Sequence, residues 1–98
     1  FDSAIDRNPY NAPPYTARGQ SLNQLGQYAK AQEDFTASLN VDNRNADAWA
    51  GLGLAMERMN KPREAGQNYQ RALTLDANNA AARQGAARVS GGGSLLPL

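Results

Sequence analysis

The 98 residues leave room for one domain, and a hydrophobic content of 41% excludes a fully disordered chain. Ten Lys+Arg against nine Asp+Glu give a net charge of +1, without the concentrated basic face that nucleic-acid binding needs. Cys and His are both absent, which removes disulfides, thiolate and imidazole metal sites, the usual general base, and cysteine-based and histidine-activated nucleophiles.

Residues 1–11, FDSAIDRNPYN, carry an apolar stripe that includes Phe1 and Ile5. A helix is predicted over about 13–25, a turn at Gly26-Gln27, and a second helix over about 28–41. Asn45 is a good N-cap for a helix over 46–59, where Trp49, Leu52, Gly53 and Met56 fall on one face. Asn60-Lys61-Pro62 breaks it, and Pro62 suits the first turn of the next helix. That helix, PREAGQNYQRALTL, aligns Ala65, Tyr69, Ala72 and Leu73, and Asp76-Ala77-Asn78-Asn79 ends it. Asn79 caps a last helix over about 80–89. The longest apolar run is a few residues, so no transmembrane segment is expected.

A step of 34 residues links Phe1, Phe35 and Tyr69; Ile5, Leu39 and Leu73; and Asn11, Asn45 and Asn79. The same step pairs Tyr15 with Trp49, Leu22 with Met56, and Ala31 with Ala65. This period and the helix–turn–helix plan resemble the tetratricopeptide repeat family. The marks are Trp49-x-x-Leu52-Gly53-x-x-Met56 with Ala65, Tyr69 and Ala72, and Tyr15-x-x-Arg18-Gly19-x-x-Leu22 with Gly26, Ala31 and Phe35. Arg18 replaces the usual leucine, and Asn43 and Ala77 the usual proline. The resemblance implies an all-α fold, a right-handed superhelical array of antiparallel helical hairpins, an α-solenoid. It covers about residues 1–89 and divides them into the second helix of a truncated repeat at 1–11, repeats at 12–45 and 46–79 and a capping helix at 80–90; residues 91–98 break from the repeat, with the composition of a Gly/Ser linker and an apolar tail. The aromatics Tyr15 and Trp49 are expected to plug the space between paired helices. Gly51, Gly53 and Gly85 mark close helix packing, because glycine inside a helix costs about 1 kcal/mol relative to alanine.

In this family the first helix of each hairpin lines a concave groove. By resemblance, Thr16, Gln20, Asn23 and Gln24 belong to that face in the first full repeat. Asp47, Ala50, Leu54, Glu57 and Arg58 follow in the second, and Gln84 and Arg88 in the terminal helix. Leu54 has two readings: an apolar anchor inside a polar rim, or one of the single surface leucines that are ordinary on any protein. Glu57 and Arg58 are adjacent, do not face each other, and read as solvated charges. Some family members grip a C-terminal carboxylate with lysine, arginine and asparagine, but Thr16, Gln20 and Gly51 stand at the corresponding places. Others hold a peptide backbone with an asparagine ladder, where Ala17, Gly51 and Gly85 stand here.

The expected function is a protein-interaction scaffold that binds a protein or peptide segment, with no catalytic residues, cofactor or metal. The adjacent carboxylates Glu33 and Asp34 diverge on a helix, which opposes an enzyme. The alternative is a self-associating repeat module, joined through the end that carries Phe1 and Ile5. Gly91-Gly92-Gly93-Ser94 has linker composition. Leu95-Leu96-Pro97-Leu98 is open to three readings: a frayed tail, added sequence, or an apolar segment docked on the array or a second copy. A preference for Arg over Lys, with many Ala, Gln and Asn, suits a bacterial protein. Such arrays include envelope lipoproteins of pilus, secretion or cell-wall assembly, and the envelope is favoured over the cytoplasm.

Overall fold

The computed structural model describes the backbone of residues 13–94 and the side chains of residues 15–90. Among the described residues five helices follow one another: α1 (Pro13–Gln24), α2 (Tyr28–Val41), α3 (Ala46–Arg58), α4 (Pro62–Leu75) and α5 (Ala80–Ser94). No strand occurs among the described residues. Each helix packs on its neighbour in sequence, and α3 also touches both α1 and α5. The odd-numbered helices therefore stand side by side as one layer, with α2 and α4 behind them. This is the all-α hairpin array that the 34-residue period implies.

The turns repeat with the same period. Gly26 at φ 82° and Asn60 at φ 68° both adopt the left-handed conformation just past a helix end. Glycine has no Cβ to clash there, and asparagine is among the side chains that tolerate the region. Gln27 N–H then reaches the Leu22 carbonyl, and Lys61 N–H the Met56 carbonyl, each at 2.9 Å. Between hairpins, Asp42 and Asp76 accept the backbone N–H groups of Arg44 and Asn78 at 3.0 and 3.1 Å.

The caps also join the hairpins. Asn45 Oδ1 accepts from Ala48 N–H at 3.1 Å, and Asn79 Oδ1 from Ala82 N–H at 2.9 Å. Each cap spends its amide on the preceding odd-numbered helix: Asn45 Nδ2 donates to Thr16 Oγ1, and Asn79 Nδ2 to Asp47 Oδ1. One side chain thus starts a helix and fixes its distance from the helix before it.

The core is rich in alanine, and its largest fully buried side chains are Phe35 and Tyr69. Phe35, from α2, lies against Gly19 of α1 and Gly51 of α3. Tyr69, from α4, lies against Gly53 of α3 and Gly85 of α5. A Cβ at Gly19 would come within 2.9 Å of the Phe35 ring, and one at Gly51 or Gly85 would overlap a ring outright. The glycines therefore make the slots that the aromatics fill. Tyr15 and Trp49, expected as the plugs, are only half-buried. Trp49 lies on the edge instead, its indole N–H donating to the Asn43 carbonyl at 2.8 Å and Arg71 stacked 5.0 Å above its ring. An indole needs a partner for its N–H, which the hairpin junction supplies and the alanine-lined core does not.

Arg18, at the place of the usual leucine, reaches across to α2. Its Nε and Nη2 donate to Asp34 Oδ2 and Oδ1 at 2.8 and 3.0 Å. Asp34 is 8% exposed, so the guanidinium neutralises a nearly buried carboxylate. At the other end, α5 carries helical backbone to Ser94, where composition alone reads a linker from residue 91. No proline interrupts it before Pro97, and glycine tolerates helical angles at a cost of about 1 kcal/mol each. The leading half-hairpin with Phe1 and Ile5, and the segment Leu95-Leu96-Pro97-Leu98, lie outside the described residues.

Candidate functional site

The layer of odd-numbered helices encloses a cleft of about 580 Å³. α1 supplies Gln20, Asn23 and Gln24 to its wall; α3 supplies Asp47, Ala50, Gly51, Leu54 and Arg58. Ala81, Gln84 and Arg88 of α5 close the far side, and Tyr28 and Tyr69 reach in from behind. Asp47, Ala50, Gly51, Leu54 and Arg58 recur at three- and four-residue steps, so α3 presents one continuous stripe to the cleft.

Nine of the eleven residues expected on the groove face line this cleft: Gln20, Asn23, Gln24, Asp47, Ala50, Leu54, Arg58, Gln84 and Arg88. The other two, Thr16 and Glu57, do not. Thr16 is 8% exposed; its hydroxyl shares a 2.6 Å hydrogen bond with Ser38 and accepts from Asn45 at 3.1 Å. It is a tie between helices, because a buried hydroxyl must find partners.

Glu57 is not a solvated charge either. Its carboxylate accepts from Arg88 Nε at 2.9 Å and Nη2 at 3.0 Å, and from the Tyr69 hydroxyl at 2.7 Å. Its partners come from α4 and α5, elements that its neighbour in sequence cannot reveal. Arg88 hydrogen bonds hold the Glu57 carboxyl below its ordinary 4.5, against an opposing push from partial burial, and the Tyr69 bond adds to the lowering. Burial, then the bond to Glu57, raises the Tyr69 phenol above its ordinary 10.0. The group therefore holds one carboxylate, one guanidinium and one neutral phenol at neutral pH, and no second carboxyl group bonds to Glu57 among the described residues.

The polar wall of the cleft is unevenly committed. Asn23 donates from Nδ2 to the Gly51 carbonyl at 3.1 Å, while its Oδ1 is buried without a partner among the described residues. Gln20, Gln24 and Gln84 are exposed, and their amides make no hydrogen bond among the described residues. Leu54 is half-exposed between them. Ala50, by contrast, is only 2% exposed and serves as floor.

Three lining residues escape the sequence reading, Tyr28, Tyr69 and Ala81, while Gly51 enters it only as a departure from the family's peptide-gripping patterns. Ala81 is one period after Asp47, so the repeat offset carries a signal for it. Tyr28 and Tyr69 belong to even-numbered helices, whose approach to the cleft follows from packing alone. No group of three or more His, Cys, Asp or Glu residues that would hold a metal occurs among the described residues. Nor is any described helix long and apolar enough to cross a membrane.

Residues 1–33 and 46–79 each match a tetratricopeptide repeat profile. The translocon at the outer membrane of chloroplasts 64 of Pisum sativum is 34% identical over 89 residues, covering 91% of this chain and 15% of that protein. Protein bimA of Emericella nidulans is 30% identical over 80 residues, covering 82% of this chain and 10% of that protein. The chain thus spans a small part of either relative. Among solved structures, the first TPR of Spaghetti (RPAP3), bound to the HSP90 peptide SRMEEVD, superposes with a TM-score of 0.83 at 26% identity. It covers 93% of this chain and 72% of that one. The Arabidopsis OM64 TPR domain gives 0.80 at 29% identity, covering 88% and 71%. These relatives are eukaryotic, and they lend no support to the bacterial lipoprotein setting that composition suggests.

Proposed function

This chain belongs to the tetratricopeptide repeat family, and from that premise we propose that it is a protein-interaction module whose cleft binds an extended segment of another protein. The observation that carries the reading is the set of uncommitted amides on Gln20, Gln24 and Gln84 around the half-exposed Leu54. A peptide brings one N–H and one C=O per residue, which amides of this kind satisfy, and an apolar side chain covers the leucine. The SRMEEVD complex of the RPAP3 domain supports peptide binding as the use of such a fold.

The mode of grip differs from a carboxylate clamp. Thr16 is committed to Ser38 and Asn45, and Gly51 lies against the Phe35 ring. A free C-terminus is therefore not required, and an internal segment fits as well.

The test is selection from a random heptapeptide library displayed with both termini blocked, followed by titration into wild-type protein and Leu54→Arg. Leu54→Arg is expected to weaken selected peptides about tenfold or more while leaving the melting curve in place. Equal binding to both proteins, or NMR perturbations confined to α2 and α4, would sink the cleft as the site.

A further inference from the structure

The charges of the cleft divide along α3. Asp47 stands in the first turn of the helix and Arg58 in the last. Both are exposed on the cleft wall. Residues 47 and 58 are eleven positions apart, which is about 16 Å along a helix axis. Leu54 sits between them, four positions from Arg58, or about 6 Å.

The other cleft charges are spoken for, since Arg88 holds Glu57. Asp47 receives one bond, from Asn79 Nδ2 to Oδ1 at 2.8 Å, and its second oxygen takes none among the described residues. Arg58 makes no hydrogen bond or ion pair among the described residues. An acid at the start of a helix and a base at its end both suit the helix dipole. That need is met on any face of the helix, however, and these two share the cleft face with Ala50, Gly51 and Leu54.

We propose that the cleft selects a charge-polarised segment: a basic side chain against Asp47, an apolar one over Leu54 and an acidic one against Arg58. The proposal rests on the peptide-binding reading and names the chemistry of the partner. An extended chain advances about 3.3 Å per residue. A segment running parallel to α3 therefore places its basic residue about three positions before the apolar one and its acidic residue about two after it. An antiparallel segment carries the reverse order.

The experiment uses the full chain, labelled with nitrogen-15, and short blocked peptides in a Gly/Ser background. The peptides are Lys-x-x-Leu-x-Glu, its reverse, forms with Gln for either charge, and a form with Lys for Glu. The oppositely charged peptide, in one of its two orders, is expected to bind about fivefold more tightly at low salt than its Gln forms, and to lose that margin at high salt. Arg58→Glu is expected to reverse the preference at one position, favouring Lys over Glu there. Equal affinity across the charge series, an unchanged order with Arg58→Glu, or no binding by any of these peptides overturns the proposal. The broader reading fails separately. A blocked-library consensus with an apolar residue and no charge pattern keeps peptide binding and removes only the polarity.

Discussion

Arg88 donates from Nε and Nη2 to the Glu57 carboxylate, at 2.9 and 3.0 Å, across a separation of 31 residues. The pair fastens α5 to α3, and the Tyr69 hydroxyl joins it from α4 at 2.7 Å. Three consecutive helices thus meet at one carboxylate, whose partners Tyr69 and Arg88 line the cleft.

That carboxylate gives the fold an acid-sensitive element. Its folded pKa lies below the unfolded value of 4.5, so folding favours the ionised form. The stabilisation is complete above the unfolded pKa and disappears as pH falls through the folded one. Glu57→Gln is expected to cost about 1 kcal/mol at neutral pH, given the half-exposed partner, and little or nothing in strong acid. Denaturant titrations of both proteins from neutral to strongly acidic pH measure this; a gap that stays constant with pH would contradict it.

Alanine at different glycines is expected to act with opposite sign. At Gly51 and Gly85 a Cβ would overlap Phe35 and Tyr69, rings that are fully buried and have no room to withdraw. Overpacking of this kind costs about 1–3 kcal/mol. At Gly66 the new Cβ meets only Val89 Cγ1, at 3.6 Å, so the helix-propensity gain of about 1 kcal/mol stands. Thermal melts of Gly51→Ala, Gly85→Ala and Gly66→Ala should shift down, down and up.

Arg18→Leu restores the residue usual in the family yet should destabilise this protein. It strands Asp34, whose side chain is 11% exposed and whose two oxygens both accept from Arg18. The expected loss is about 2 kcal/mol. Adding Asp34→Ala should recover part of it, because the stranded charge is then gone. A double-mutant cycle in urea reads the coupling.

Thr16→Val should separate fold from binding. It removes a hydroxyl that serves both Ser38 and Asn45, for a loss of about 1–2 kcal/mol. Because Thr16 does not line the cleft, peptides selected by the wild-type protein should bind the folded variant unchanged. Weaker binding by fully folded Thr16→Val would return this residue to the recognition surface.

Much of the cleft is legible in the sequence because helical periodicity and repeat offset are both one-dimensional. Gln20, Leu54 and Arg88 are spaced by 34 residues, and all three line it. The two expected positions that do not line the cleft share one cause. Thr16 and Glu57 sit on the predicted helix face, but their partners Ser38, Asn45, Tyr69 and Arg88 come from other helices. Helical spacing sets the direction of a side chain; whether it meets solvent or a partner depends on the element opposite.

Sequence alone determined the helix-turn-helix order, the caps at Asn45 and Asn79 and the breaks at Gly26 and Asn60, since these follow from local backbone preferences and hydrogen bonds; that both break residues are left-handed is a finding of the structure. The sequence also singled out Gly51, Gly53 and Gly85 as places of close approach, though not what approaches. Tertiary structure decided that Phe35 and Tyr69, rather than Tyr15 and Trp49, fill those places. It likewise decided that Arg18 answers Asp34 and that Arg88 answers Glu57 while Arg58 stays open to the cleft. The physical reason is the same in each case: burial and charge pairing are properties of two surfaces brought together, and a single chain segment carries only one of them.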